Sequence, residues 1–497
     1  MSSEWAPPAP ATSAAGAKAA PLLATFVALG LAGIVPILVW SIGQPVDPTA
    51  EGVITATIVF AGIRFAWIVG SRTRHLHEMV LWLFVYTFLG VAPLLQFRIK
   101  FPGTTPNLTV AFATEAALIV LGGCVALLIG SLAAVGRRVP SGVGAMAPQV
   151  RDINGRNTYL WSFVALGLAA LAIARIGPAN LFVARSDLKA AQADAIGADP
   201  IGTLISSGAR MGLVVAFVAL MHLRAQRRKT GGPMPFLMPL AVVVTLFVVV
   251  NPISSARYTF GTALLAVLGA LGAYATVPRF RVVSLSALVG VVVLFPVLDT
   301  FRRSLDATIQ LESPIDSMTT GDFDAFAQII NTAELVAVQG VAYGQQFLGP
   351  FLFWIPRSVW PDKPIDTGVE LAQFKMYNFP NLSAPLWSEF FINFGWVGLV
   401  VGMFAVGFLL RRLDLRAELT LQASRLPGVL ACITPFYLLI LLRGSLLQAM
   451  VNLFVIVAIS WFVTRPESSA PAEAQTYLQR AKRGDAKLAT GTTRTAG

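Results

Sequence analysis

Residues 110–135 read VAFATEAALIVLGGCVALLIGSLAAV. Glu115 is the only charged side chain in that run. A helix needs about 20 mainly apolar residues to cross the hydrocarbon core of a bilayer, and this stretch is long enough. The same criterion marks 22–42, 52–70, 78–97, 158–176, 201–222, 234–250, 257–277, 282–300, 390–410, 427–442 and 444–464 as further spans. The expectation is an all-α polytopic membrane protein with about 12 transmembrane helices. A large loop, 301–390, joins the ninth and tenth.

Composition agrees. Of 497 residues, 56% are hydrophobic and 12% charged, against about one-quarter charged in an ordinary soluble domain. The formal net charge of +12 does not point to nucleic acid. Most Arg and Lys sit in short clusters between apolar stretches, as orientation signals do. Alternate loops carry Arg72 and Arg74; Arg137, Arg138, Arg151 and Arg156; Arg224, Arg227, Arg228 and Lys229; Arg279 and Arg281; then Arg411, Arg412, Arg416 and Arg425. The positive-inside rule puts these loops, and both termini, in the cytoplasm. The 301–390 loop is then external. Residues 1–20, rich in Ala, Pro and Ser, read as a disordered cytoplasmic tail. Residues 21–464 form the transmembrane domain, and 465–497 a second disordered cytoplasmic tail. The stretch Pro21–Ile42 is too long for a signal-peptide core and reads as a retained span. Cys124 and Cys432 lie in apolar stretches without metal-ligand spacing and read as packing. No internal repeat is evident.

The 301–390 loop is too long to be a mere connector. Its acids are Asp306, Glu312, Asp316, Asp322, Asp324, Glu334, Asp362, Asp366, Glu370 and Glu389, ten against five bases. Thr319 followed by Asp322 resembles a helix start. Phe323, Phe326, Ile330, Ala333 and Ala337 then recur at the spacing of one helix face. The run 347–356 (FLGPFLFWIP) is too short to span and suits a re-entrant or interfacial segment. Trp354, Trp360 and Trp387 suit the headgroup level. The segment 178–200 reads as a lesser external amphipathic element.

There is no P-loop, dinucleotide fingerprint or HExxH motif. His75 and His77 fall in a cytoplasmic loop and His222 at the cytoplasmic end of a span, so no histidine is external. External arginines break the orientation rule and need another reason to exist. These are Arg257 in NPISSARYTFG, Arg302 and Arg303 after the ninth span, Arg357 in IPRSVWPDKP and Arg443 in LLRGS. Arg302 and Arg303 have acids four residues away, Asp306 and Asp299, and read as local ion pairs. No acid stands at helical spacing beside Arg257 or Arg443. A guanidinium binds phosphate oxygens bidentately and keeps its charge. Several converging at a membrane surface suit a lipid-linked diphosphate. Glu389 sits among apolar and aromatic residues at the entrance of a span. It is either desolvated or paired with an arginine. Asp362, Lys363 and Asp366 lie in a Pro-bounded turn and read as structural or substrate-contacting. The sequons at Asn107 and Asn381 read as coincidence.

The run Phe353-Trp354-Ile355-Pro356-Arg357-Ser358-Val359-Trp360-Pro361-Asp362-Lys363-Pro364 precedes Thr367-Gly368. Downstream come NLSAPLWSEFFINFG at 381–395 and Arg443-Gly444, and upstream Asn251-Pro252 with Arg257. Over roughly 250–450 the chain resembles the oligosaccharide repeat unit polymerases of bacterial surface polysaccharides, the Wzy-type or O-antigen polymerases. The resemblance implies a metal-independent, cofactor-free, inverting glycosyltransferase of the membrane-embedded C-type class in the bacterial inner (plasma) membrane. A growing glycan on undecaprenyl diphosphate is the donor, and a sugar hydroxyl on a lipid-linked repeat unit attacks its anomeric carbon. Carried over, Arg257, Arg357 and Arg443 hold the diphosphate and Glu389 is the general base. Trp360, Asp362, Lys363 and Asn393 are candidates for substrate contact. The implied partners are polyprenyl-diphosphate-linked oligosaccharides, the lipid bilayer and a chain-length regulator, with no nucleic acid. Two alternatives stand beside this: an O-antigen ligase, which uses an external His that this chain lacks, and a lipid-linked oligosaccharide transporter or flippase. The second expects ionisable residues at mid-membrane. Arg64 is the main buried charge in the sequence, and it can snorkel to the cytoplasmic side.

Overall fold

The computed structural model describes residues 14–99, 105–136, 152–183, 188, 200–233, 236–291, 314–379, 382–424 and 426–465. The chain is an all-α, multi-pass membrane protein. Among the described residues, eight helices are long and apolar enough to cross a bilayer. The helices in chain order are α1 (Ala20–Trp40), α2 (Pro48–Gly70), α3 (Leu76–Ile99), α4 (Val110–Val135), α5 (Gly155–Ile176) and α6 (Pro200–Thr230). Next come α7 (Leu237–Val249), α8 (Arg257–Ala270) and α9 (Val277–Val289). The loop region contributes α10 (Ala325–Gln339), α11 (Gln345–Phe351) and α12 (Thr367–Phe374). Last are α13 (Leu386–Ser424), α14 (Val429–Arg443) and α15 (Leu446–Val463).

Four expected spans correspond to shorter helices: α7 and α9 have 13 residues, α8 has 14 and α14 has 15. Glycine-rich turns at Gly272 and Gly444 and the Asn251-Pro252 turn trim them. The remainder of the ninth expected span, with Arg302 and Arg303, lies outside the described residues. The described residues reach into both expected tails. The helical turn leading into α1 begins at Ala14, inside the stretch expected to be disordered. At the other terminus, Thr464 and Arg465 are ordered by pairing as a short antiparallel strand with Asp152 and Ile153. Residues 466–497 lie outside the described residues.

Two apolar cores run along the bundle. The first gathers Ile58, Phe65, Phe84, Phe88, Ile330 and Trp387. The second gathers Val214, Phe217, Leu246, Ala266, Ile433 and Ile456. α14 is their seam, giving Phe436, Leu438 and Leu442 to one and Cys432, Ile433 and Tyr437 to the other. Between α4 and α13 the backbones touch. A Cβ on Gly130 would lie 2.0 Å from the Phe404 carbonyl oxygen, and one on Gly407 2.1 Å from that of Leu127. In lipid, where no hydrophobic force drives helices together, such small-residue contacts supply the packing.

The loop region is part of this bundle. α10 starts at Ala325, later than the Thr319 signal suggests, because Gly321–Phe323 first make a tight 3₁₀ turn. Its apolar face was legible, yet Gln328, Asn331 and Thr332 on other faces are buried too. They are partly satisfied: Asn331 Nδ2 donates to Gln328 Oε1 at 2.9 Å, and Thr332 Oγ1 lies 2.8 Å from Ser388 Oγ. The aromatic run forms α11 and a following series of turns, with Phe347 stacked near Phe351, Phe390 and Phe394. Trp387 does not face lipid headgroups. It is fully buried, and its Nε1 donates to Val120 O at 3.2 Å, above Gly123, where a side chain would leave it no room. α13 breaks at Phe394 and Gly395, the latter with φ of 58°, a conformation glycine adopts freely. The break separates the segment carrying Glu389 from the long span behind it.

Candidate active site at the loop end of the bundle

The end of the bundle that carries residues 314–385 is the loop end. There the short turn Gly321–Asp324 is wedged among helices. Phe323 stacks on Phe88 at 4.8 Å. Phe88 belongs to a π-helical turn, Thr87–Val91, within α3, a distortion that often marks functional positions. Gln96, farther along α3, donates to the carbonyls of Met318 (2.7 Å) and Phe323 (3.1 Å). The turn is thereby fixed, with Asp322 and Asp324 projecting from it.

Arg257 and Arg443 both reach this turn. Arg257, the first residue of α8, pairs through Nη2 with Asp322 Oδ2 at 2.5 Å. Arg443, the last residue of α14, pairs through Nη2 with Asp324 Oδ1 at 2.9 Å. Its Nε also donates to Asp322 O at 3.1 Å, and its guanidinium lies 5.1 Å from the centre of the Tyr258 ring. Asp324 in turn accepts the Ser383 backbone N–H at 3.1 Å, and the Ala384 N–H donates to Arg443 O at 3.1 Å. The acids absent from helical spacing in the sequence are thus supplied by a distant turn.

Glu389 stands on the other side of the same α14–α15 hairpin. Its Oε1 accepts the backbone N–H of Leu446, the first residue of α15, at 2.9 Å. Its Oε2 accepts the Thr367 hydroxyl at 3.0 Å. Only 1% of the residue is exposed. A carboxylate at a helix N-terminus meets an unsatisfied amide and the positive end of the helix dipole. Asp366, beside Thr367, caps α12 by accepting Gly368 N–H at 2.9 Å. Burial pushes the Asp366 carboxyl above the usual range, against its hydrogen bonds, which act to lower it.

The other candidates are placed differently. Arg357 is bound locally, donating to Lys363 O (2.6 Å) and Pro364 O (3.1 Å). Lys363 is buried and donates to the carbonyls of Phe353 (2.8 Å) and Ile355 (2.9 Å). Burial and the Arg357 charge push its ammonium below the usual lysine range. It closes the turn rather than facing a substrate. Asn393 is also structural: it is fully buried, its Nδ2 donates to Glu389 O at 2.8 Å, and its Oδ1 accepts Phe347 N–H at 3.2 Å. Asp362 is exposed and Trp360 half-buried on the turn surface.

Sequence reading missed a second charged cluster at the opposite end of the bundle. Arg64 does not stand alone; it pairs with Glu78 at 3.2 Å and covers Trp67 at 4.5 Å. Arg411 and His75 meet the same Glu78. His77 Nδ1 contacts Asp414 Oδ1 at 2.7 Å. Arg74 clasps Glu418 with two bonds of 2.8 Å. The histidines expected in a loop are therefore buried. Arg411, Asp414 and Glu418 come from a helix more than 300 residues further on, so no local pattern could reveal their part of the cluster. His75, Glu78 and Asp414 have ligand atoms close enough to hold a metal ion. The guanidinium of Arg411 already lies against His75 and Glu78, which fits an ion-pair network better than a cation site. No protein-family model, curated protein or solved structure matches the chain.

Proposed function

We propose that the chain polymerises polyprenyl-diphosphate-linked oligosaccharide repeat units by inverting glycosyl transfer at its loop end. The observation that carries this reading is the meeting of Arg257 and Arg443 at one turn, with Glu389 of α13 bonded to the first residue of α15, three residues beyond Arg443. Asp322 and Asp324 hold the two guanidiniums. A diphosphate presents paired anionic oxygens to a guanidinium fork, as a carboxylate does, and can take their place. Two positive charges then neutralise the leaving group as its charge develops. The Thr367 hydroxyl donates to Glu389 where an acceptor sugar hydroxyl would donate. Displacing it lets Glu389 take the acceptor's proton while the acceptor oxygen bonds to the anomeric carbon. The bond from that carbon to the diphosphate breaks, and its electron pair leaves with polyprenyl diphosphate. The full reading has twelve spans, both termini in the cytoplasm and Arg357 as a third, peripheral diphosphate contact.

Purified protein in liposomes, given a lipid-linked repeat unit, is expected to yield a ladder of products. Arg257→Lys and Arg443→Lys should each suppress the ladder, because one ammonium cannot reproduce a guanidinium fork. A full ladder from both variants would remove the diphosphate role. A transport reading has one observation in its favour, the buried ionisable network around Glu78 and Asp414, since intramembrane charges often mark translocation pathways. Transfer of the lipid-linked unit across the liposome membrane without any ladder would favour it.

A further inference from the structure

We infer that Arg210 is the anchor of a binding site for a lipid phosphate, distinct from the Arg257–Arg443 turn. This inference goes beyond the glycosyl-transfer reading and does not rest on it. Arg210 lies on α6, within the part that crosses the membrane. Its Nε donates to Ser206 O at 3.1 Å and its Nη2 to Ser206 Oγ at 3.5 Å. Among the described residues no carboxylate pairs with it; its electrostatic neighbour is the Tyr437 hydroxyl. That hydroxyl is itself committed, donating to Ala449 O at 2.6 Å.

A guanidinium stays charged at every relevant pH. Leaving such a charge inside a protein without a counterion costs several kcal/mol by general estimates. Arg64, Arg74, Arg98, Arg257, Arg411 and Arg443, buried or half-buried as Arg210 is, each face a carboxylate. Arg210 instead faces a small cavity of about 20 Å³ walled by Ala172, Ile173, Ile176, Leu181 and Val249. That volume takes one water-sized group, such as a single phosphate oxygen. The bond to Ser206 draws the side chain back toward the start of α6, as helical side chains lean. Ser206 lies six residues into α6, which begins at Pro200. At 1.5 Å per residue this keeps the guanidinium within about two turns of the start of the helix. With room for one oxygen only, the cavity leaves any attached chain outside it. The chemistry is a phosphate oxyanion on a lipid tail, and either a bilayer lipid or a polyprenyl phosphate carries it.

The test uses the full-length protein in uncharged detergent, titrated with dioleoylphosphatidylglycerol or with sodium phosphate. Lipid binding is read by native mass spectrometry and by the melting temperature. The lipid is expected to bind saturably and raise the melting temperature. Arg210→Gln should weaken that binding at least about tenfold, as losing a charge-assisted hydrogen bond does. Arg210→Met, without added lipid, should melt at or above the wild-type temperature, because it removes an uncompensated charge. Ile173→Trp keeps the arginine, fills the cavity, and should abolish lipid binding as well. If sodium phosphate alone reproduces the saturable effect with the same dependence on Arg210, the oxyanion site stands and the tail is dispensable. Unchanged lipid affinity in both Arg210→Gln and Ile173→Trp would overturn the site. So would a lower melting temperature of Arg210→Met in the absence of lipid, which would make the arginine a structural strut.

Discussion

Glu389 shows how one side chain can be read as base or as cap, and how the two are separated. Glutamine at this position can accept the Leu446 N–H through its oxygen and donate to the Thr367 hydroxyl through its nitrogen, so both contacts survive. Glu389→Gln is therefore expected to melt close to wild type and to lose about 10²–10⁴-fold in polymerisation rate, the usual value of general-base assistance. Glu389→Ala strips the cap and leaves an orphan amide, so it should lower stability by about 1–3 kcal/mol as well. A normal product ladder from Glu389→Gln would leave only the capping role. Asp366 gives a pH signature. Its carboxyl is pushed up by burial, so the folded state favours the protonated form. That contribution is complete below the unfolded value of about 3.9 and is lost as pH rises through the raised folded value. Asp366→Asn keeps an acceptor for the α12 cap and never ionises. It should raise the melting temperature at neutral pH, with the gain vanishing near pH 4; an equal effect at both pH values would refute this account. At this scale the sequence made the arginines visible, because basic residues in loops expected to be external break the charge pattern. Their partners were hidden, since Arg257 and Asp322 are 65 residues apart and Arg443 and Asp324 are 119 apart.

Helices were read well where hydropathy alone defines them, and poorly where packing does. The long spans were legible from their apolar length. α10 was found by its periodic apolar face, but its burial on nearly every side was not, because Thr332 and Ser388 satisfy one another only after the chain has folded. The break in α13 at Gly395 likewise has no hydropathy signal, although it frees the Glu389 segment to turn toward α15. The α4–α13 crossing gives an element-scale prediction. Gly130 and Gly407 let the two backbones meet, with a Cβ falling 2.0 and 2.1 Å from carbonyl oxygens. Gly130→Val and Gly407→Val must push the helices apart and are expected to cost about 1–3 kcal/mol each, as overpacking does. Gly167→Ala in α5 meets nothing within 4 Å and serves as the control; its melting temperature should hold or rise slightly, since alanine is the better helix former. Equal behaviour of all three in thermal melts would mean that the crossing does not limit stability.

Seen as a whole, the molecule carries its buried charges toward its two ends. The Arg257–Asp322 and Arg443–Asp324 pairs lie at the loop end, and the Glu78, Asp414 and Glu418 network at the other. Both ends tie the two apolar cores across α14, through Arg443 at one and Thr434, 2.9 Å from His77 Nε2, at the other. Which end faces outward decides whether the proposed chemistry meets its substrate. The distribution of arginine and lysine predicts the loop end outside. Tyr343 is 86% exposed on the loop region, and Arg72 is exposed at the opposite end. Cys124 and Cys432 are both buried, so a single introduced cysteine reports with little background. In intact cells a membrane-impermeant maleimide should label Tyr343→Cys at once and Arg72→Cys only after permeabilisation. The reverse pattern would turn the site toward the cytoplasm. The residue geometry around Arg257, Arg443 and Glu389 would survive that result, but polymerisation on the outer face would not, because a glycan exported before assembly could no longer reach the two arginines.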